Sequence, residues 1–239
     1  MAGQEAGAYL VDLDRLQAAL GYSNFIDNRM WHLAKAPYTL QGAKALAGEY
    51  LKFIRAARGK AKKCLTLDCD NTLWGGILGE EGLNRIKLGR VFPGSAFREF
   101  QEALLELYHR GVMLALCSKN NQAEVMEVLE KHPDMVLRPE HFVSMRINWQ
   151  DKASNLAEMA QELNLGLDSF VLADDSQFEI SLVQRLLPQV ETIHLSGDPS
   201  QFSRIIRSCG LFDTLSYSSE DRQRPGCTVR RPAGGRPRP

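Results

Sequence analysis

Two aspartates one residue apart, Asp68 and Asp70, close the apolar run Cys64–Leu67. Carboxylates this close are costly to ionise together unless a cation or a shared proton relieves them. Hard oxygen donors with room for phosphate oxygens suit Mg²⁺. A carboxylate beside such an ion can attack phosphorus and form an aspartyl-phosphate. The pair alone says little, because turns and caps use the same residues. Three later positions add to it. Ser118-Lys119-Asn120-Asn121 follows an apolar run at 112–116 and supplies a hydroxyl and amides. Lys152 opens an amphipathic segment, where its ammonium offsets the acids, and Asp174-Asp175 follows the run at 170–173. Acid, hydroxyl, lysine and acid recur in order, each just beyond an apolar run.

The elements that must position these residues alternate. Runs at 64–67, 112–116, 142–145, 170–173 and 190–195 predict buried strands. Amphipathic segments at 95–109, 122–131, 152–163, 178–187 and 199–207 predict helices between them. Strands alternating with helices give an α/β fold, a doubly wound parallel sheet covered on both faces. Ligands of such sheets sit at the carboxyl ends of the strands, where the four motifs fall. Leu73 to Gly94 is glycine-rich and too short for a separate cap domain, so it reads as a small hairpin flap. Trp74 within it packs the flap or lines the site, packing being the commoner role.

Three zones are expected. Residues 1–61 form a helical lead-in, with Leu13, Leu16, Leu20 and then Leu46, Tyr50, Phe53, Ile54 at helical spacing. Between them, Asn24 to Tyr38 reads as irregular. Residues 62–217 form the catalytic domain. Residues 218–239 form a basic tail or linker, rich in Pro, Gly and Arg, that cannot bury enough to order itself. This texture suggests a segment of a longer multidomain chain.

The 239 residues carry 29 basic and 29 acidic side chains, which argues against a global nucleic-acid or membrane field. No apolar run reaches a membrane span, and no secretory signal is evident. Cysteines 64, 69, 117, 209 and 227 are odd in number and lack CxxC spacing, so neither a disulfide frame nor a zinc site is expected. The histidines, His32, His109, His132, His141 and His194, are scattered and read as helix-end or surface residues. Together these features predict a reduced, cytoplasmic, globular protein.

The set Asp68-x-Asp70, Ser118, Lys152 and Asp174-Asp175 resembles the four motifs of the haloacid dehalogenase superfamily of phosphatases and phosphotransferases. The resemblance implies a Rossmann-like sheet, a nucleophile at Asp68 and a general acid/base at Asp70. It also implies Ser118 and Lys152 on the phosphoryl group, and Mg²⁺ held by Asp68, the Asp70 carbonyl and Asp175, with Asp174 in support. Longer words, Asp68-Cys69-Asp70-Asn71-Thr72-Leu73-Trp74-Gly75-Gly76, Gly79-Glu80-Glu81-Gly82-Leu83 and Asn148-Trp149-x-x-Lys152, are similar to the glyceryl transferase/phosphatase loading domains of polyketide assembly lines. So are Asp27-x-Arg29-x-Trp31 and Glu220-Asp221-Arg222, whereas Gln177-Phe178 departs from the proline expected there. That resemblance implies 1,3-bisphosphoglycerate as substrate and an acyl carrier protein with its phosphopantetheine arm as partner, within a larger polyketide synthase. Thr72, Lys119, Asn120 and Arg146 are then expected to contact substrate, Lys119 and Arg146 reaching its second phosphate.

Acyl transfer needs a thiol, and Cys69 between the carboxylates is the candidate. A thiolate attacks an acyl phosphate readily, and a thioester passes to another thiol. Flanking acids raise its pKa, and strict strand alternation points it away from Asp68 unless the backbone turns there. The other readings are a Mg²⁺-dependent phosphatase acting on a small metabolite or phosphoprotein, and a catalytically silent docking module, against which the intact acidic and lysine set argues.

Overall fold

The computed structural model describes residues 10–214. The tail at 218–239, with Cys227 and Glu220-Asp221-Arg222, lies outside them. Contacts divide the described residues into two compact units, one built mainly from residues up to Ala61 and one from Lys62–Phe212.

The first unit is helical: α1 (Leu13–Leu20), α2 (Tyr22–Phe25), α3 (Asn28–Ala34) and α4 (Leu40–Ala57). Asp12 and Thr39 cap α1 and α4, each side chain accepting from a backbone N–H in the first turn. The stretch expected to be irregular holds α2 and α3 joined by a single antiparallel bridge, Ile26 to Tyr38. Asp27 caps α3 and pairs with Arg29 at 2.8 Å, which accounts for that acid-x-base word as local structure.

The second unit is an all-parallel sheet with strand order β3-β2-β1-β4-β5. Its strands are β1 (Cys64–Leu67), β2 (Met113–Ser118), β3 (Phe142–Ile147), β4 (Phe170–Asp174) and β5 (Glu191–His194). The connecting helices are α5 (Leu78–Glu81), α6 (Gly94–His109), α7 (Gln122–Lys131), α8 (Lys152–Glu162), α9 (Gln177–Leu186) and α10 (Phe202–Ser208). Burial explains the layering. Leu65 and Leu67 of β1 pack with Phe100, Leu104, Val128 and Phe202 from α6, α7 and α10. Cys64 of β1, with Ala115 and Cys117 of β2, packs with Leu156, Met159, Ile180 and Val183 from α8 and α9. Each fully buried Leu or Phe contributes roughly 1.5–3 kcal/mol. Helices thus cover both faces, and the winding reverses between β1 and β4, the switch point where such sheets bind ligands.

The flap between β1 and α6 is closed by one antiparallel bridge, Gly75 to Lys87, and carries the single turn α5 rather than two paired strands. Buried Gln101 of α6 anchors its root. The Gln101 amide donates to the Leu73 carbonyl at 2.8 Å, and its oxygen accepts from the Val136 and Leu137 amides at 2.9 and 3.2 Å. No helix among the described residues is long and apolar enough to cross a membrane.

Candidate active site

β1 and β4 pair through Leu67 and Ala173, so the next residues, Asp68 and Asp174, emerge side by side at the switch point. Lys152 is the first residue of α8, fixed there by the Asp151 cap, whose carboxylate accepts from Ser154 N at 2.8 Å. Its side chain is only 3% exposed, and Nζ lies 3.0 Å from Asp68 and 2.5 Å from Asp174. Burial alone would lower this ammonium's pKa, but the charges of Asp68 and Asp174 outweigh it and hold the lysine protonated. Carboxylate oxygens of Asp68, Asp174 and Asp175 all lie within 4.8 Å of one another.

Three carboxylates around one ammonium leave excess negative charge. Burial, and then the charges of Asp68 and Asp174, push Asp175 up to about 6. Asp174 is raised by burial and Asp68 while Lys152 pulls it back. The crowding is what a divalent cation with oxygen ligands would relieve, so the donor set fits Mg²⁺. Asp174 is already engaged by Lys152 and by Ser176 N at 2.9 Å. No side chain among the described residues donates a hydrogen bond to the Asp175 carboxylate, which takes its own backbone N–H and can turn an oxygen to an ion.

Asp70 stands outside this trio, close enough to feel the Asp68 charge, with contacts of its own. Its Oδ1 accepts from Trp74 Nε1 at 2.9 Å and Leu78 N at 3.1 Å, and its Oδ2 from Asn120 Nδ2 at 2.9 Å. Burial pushes this carboxyl up and the three donors partly offset that. The turn that delivers it is built into the word around it. Asn71 takes the left-handed conformation, φ 53°, and its side chain accepts from Gly76 N at 2.9 Å. Gly76 has φ 97°, and a Cβ there would meet the Glu81 carboxylate. Trp74 is therefore both packing and site: the ring is fully buried and its N–H orients Asp70.

Ser118, 2% exposed, ends β2 beside β1, and its carbonyl accepts from Asn148 N at 3.1 Å, tying β2 to the loop after β3. Thr72 is fully buried with a hydroxyl that has no hydrogen-bond partner among the described residues. Three expectations change. Arg146 does not join the cluster, because its guanidinium is taken by Glu162 at 2.6 Å and Glu158 at 3.6 Å, both on α8. Lys119 pairs with Glu179 of α9 at 2.6 Å. Cys69 continues the alternation of β1, since it packs in the core with Leu65 and Leu67. The backbone turns only after it, where the Cys69 carbonyl accepts from Leu73 N at 2.8 Å. Burial, followed by the charge of Asp68, keeps its thiol well above the ordinary range, with the Ser118 hydroxyl its partial relief.

Two functional neighbours were not anticipated. Glu179 follows Ser176 at the spacing of a capping box, yet its carboxylate turns to Lys119 instead. His194 on β5 is not a surface histidine: its Nε2 donates to the Asp175 carbonyl at 2.9 Å, steadying the loop that carries that acid.

Lys152→Met is expected to destabilise the protein by about 3–5 kcal/mol at pH 7, because two buried carboxylates would lose their shared counter-charge. The loss should shrink at pH 5, toward which Asp174, raised by burial and then by the charge of Asp68, more readily takes up a proton. Urea midpoints of the variant and wild type at both pH values check this.

Among solved structures, the chain resembles the N-terminal part of the Bacteroides fragilis protein BF1531, which contains a phosphatase domain and was solved complexed with Mg. Identity is 35% and the TM-score 0.82, over 86% of this chain and 55% of that one. The chain thus spans little more than half of that relative. The 3-deoxy-D-manno-octulosonate 8-phosphate phosphatase of Moraxella catarrhalis, solved in complex with magnesium ion, phosphate ion and KDO, matches at 15% identity and a TM-score of 0.38, over 63% of this chain and 87% of its own. A haloacid dehalogenase superfamily hydrolase of subfamily IA from Geobacter sulfurreducens matches at 14% identity and a TM-score of 0.41, over 61% and all of its length. No protein-family model matches the chain, and no curated protein does.

Proposed function

We infer that this chain, whose second unit has the haloacid dehalogenase fold, is a Mg²⁺-dependent phosphohydrolase that works through an aspartyl-phosphate on Asp68. The observation that carries the reading is the meeting of Asp68, Asp174 and Asp175 around Lys152 at the sheet's switch point. Asp68, Asp175 and the Asp70 backbone are the groups that would hold Mg²⁺, the ion present with the Bacteroides fragilis phosphatase part. When bound, it offsets charge on the acids and the phosphoryl group. Asp68 Oδ2 attacks phosphorus. Lys152 and Ser118 keep the phosphoryl oxygens in place. Asp70, held up in pKa and turned by Trp74 and Asn120, gives its proton to the leaving oxygen and then draws one from the attacking water.

Acid quenching during turnover of p-nitrophenyl phosphate, followed by peptide mass spectrometry, tests this. A phosphoryl group on the peptide carrying Asp68 is expected, removed by hydroxylamine. Turnover with label only elsewhere would overturn it.

A second, finer reading is glyceryl transfer from 1,3-bisphosphoglycerate to an acyl carrier protein, as part of a polyketide synthase. What supports it is the place of Cys69 in the chain, between the two site aspartates, with the Ser118 hydroxyl beside its sulfur, although that sulfur packs in the core. There the thiolate would attack the acyl carbonyl, phosphate would leave, and the thioester would pass to the carrier thiol. Because the thiol is fully buried, this requires the turn after β1 to open. Cys69→Ala is expected to keep phosphate release within about threefold, as a small core change does. Under this reading it also loses the glyceryl adduct seen by intact-protein mass spectrometry. An adduct that persists on the alanine variant removes Cys69 from the chemistry.

A further inference from the structure

The start of α9 has exchanged its acids. Ser176 is the N-cap, and its hydroxyl accepts from Glu179 N at 3.4 Å, which is one half of a capping box. In the other half of such a box the glutamate carboxylate accepts from the N-cap N–H. Here Asp174 Oδ1 takes the Ser176 N–H at 2.9 Å, while Glu179 Oε1 accepts from Lys119 Nζ at 2.6 Å. The other oxygen of Asp174, Oδ2, accepts from Lys152 Nζ at 2.5 Å. Both oxygens of Asp174 are thereby fixed, and with them the Lys152 ammonium.

Glu179 is the competitor for that N–H. It is 7% exposed, and its Oε2 is buried with no hydrogen-bond partner among the described residues. A buried carboxylate short of donors is costly, so it turns to whichever donor it can reach. Its spacing from Ser176 puts the N-cap N–H within that reach. Lys119, the first residue after β2, is what draws it away. The pair also stands beside the cluster: burial raises the Cys117 thiol, and the charges of Lys152, Asp68, Asp174 and Glu179 all act on it.

We propose that Lys119 is a positioning residue: by pairing with Glu179 it keeps that carboxylate off the Ser176 N–H and so leaves Asp174 and Lys152 aligned for phosphoryl transfer. Two simpler roles predict otherwise. A lysine that touches substrate would be missed in every variant that lacks it. A strut between β2 and α9 would be missed equally when either partner is neutralised. A guard is needed only while there is a carboxylate to hold. The role assigned to Lys119 rests on the phosphohydrolase reading of the site.

Steady-state hydrolysis of p-nitrophenyl phosphate by the full chain, with crystal structures of the same variants, tests this. Lys119→Met is expected to lower kcat/KM by roughly tenfold or more, as a misaligned cluster does, with the Ser176 N–H now on Glu179. Glu179→Gln removes the competing charge and keeps the shape, so it is expected to stay within about threefold of wild type. K119M/E179Q is expected to recover to about the same range with Asp174 back on Ser176, because neighbours in one network are not additive. Lys119→Arg keeps the pair and should match wild type. Wild-type rates in Lys119→Met, a loss in Glu179→Gln or K119M/E179Q as large as in Lys119→Met, or Asp174 still on the Ser176 N–H in Lys119→Met would each overturn the role. If Lys119→Met does not fold, the double variant decides alone, since it carries no unpaired buried charge: recovery supports the guard and a large loss overturns it. The exchange of partners in the variant structures, with no hydrolysis by wild type, would sink the phosphohydrolase reading and leave the guard standing.

Discussion

Asp68→Asn is expected to lower phosphate release by about a thousandfold or more, the scale on which removing a covalent nucleophile acts. The variant should remain folded. Asp68 is one of three carboxylates around a single ammonium, and Lys152 keeps Asp174 as its partner when Asp68 becomes neutral. The amide also relieves the cluster. Asp68 is the largest charge raising Asp175, after burial, so Asp175 should titrate closer to its ordinary value in the variant. Three measurements on one protein therefore check the assignment: phosphate release, thermal unfolding, and the titration of Asp175 by NMR. Near-normal release from a folded variant would remove Asp68 from the chemistry.

Chelation is expected to abolish turnover, and Mg²⁺ to restore it fully. The metal-free protein should also show a pH signature. Asp175 has a folded pKa of about 6, above its ordinary 3.8. For a group raised in this way, the stabilisation is complete below the ordinary value and lost as pH rises through the folded one. Metal-free protein should accordingly melt at a lower temperature at pH 7.5 than at pH 4.5 insofar as this group governs. Mg²⁺ needs the ionised acid, so its stabilisation should be largest above pH 6. At a hundred times its Kd the ion contributes about 2.7 kcal/mol. Calorimetry across pH 4.5–8, with Mg²⁺ and with chelator, gives both curves. Full turnover in excess chelator, or equal stabilisation at both ends of the range, contradicts the site.

What could be read beforehand was whatever local pattern dictates. The strand at Cys64–Leu67 and the helix at Gln122–Lys131 have the bounds expected from their apolar runs and polar flanks. The other expected strands and helices of the second unit differ at their ends, where fraying and caps decide, whereas α5 was not expected and the last helix begins as a separate 3-10 turn at Pro199–Gln201. The order of acid, hydroxyl, lysine and acid was legible because the parallel sheet sends all strand ends to one edge. Pairings across space were not. Nothing near Arg146 signals that Glu162, a helix length away, will claim it, and the same holds for Lys119 with Glu179, sixty residues on. For Cys69 the alternation rule did carry the answer. The carboxylates on either side made a turn at Asp68 attractive, but the strand's direction persists one residue further and leaves the sulfur in the core.

The Gln101 amide has a mechanical consequence. It fastens the Leu73 carbonyl on one side and the amides of residues 136 and 137 on the other, all inside the core. The flap is therefore no lid hung from the end of β1, because its root is riveted to α6. The far side is fastened too, by the paired backbones of Gly75 and Lys87 and by Leu78 N on the Asp70 carboxylate. The acid/base is thus clamped from both sides of the glycine pair, and losing the Gln101 amide should blur its aim rather than open a door.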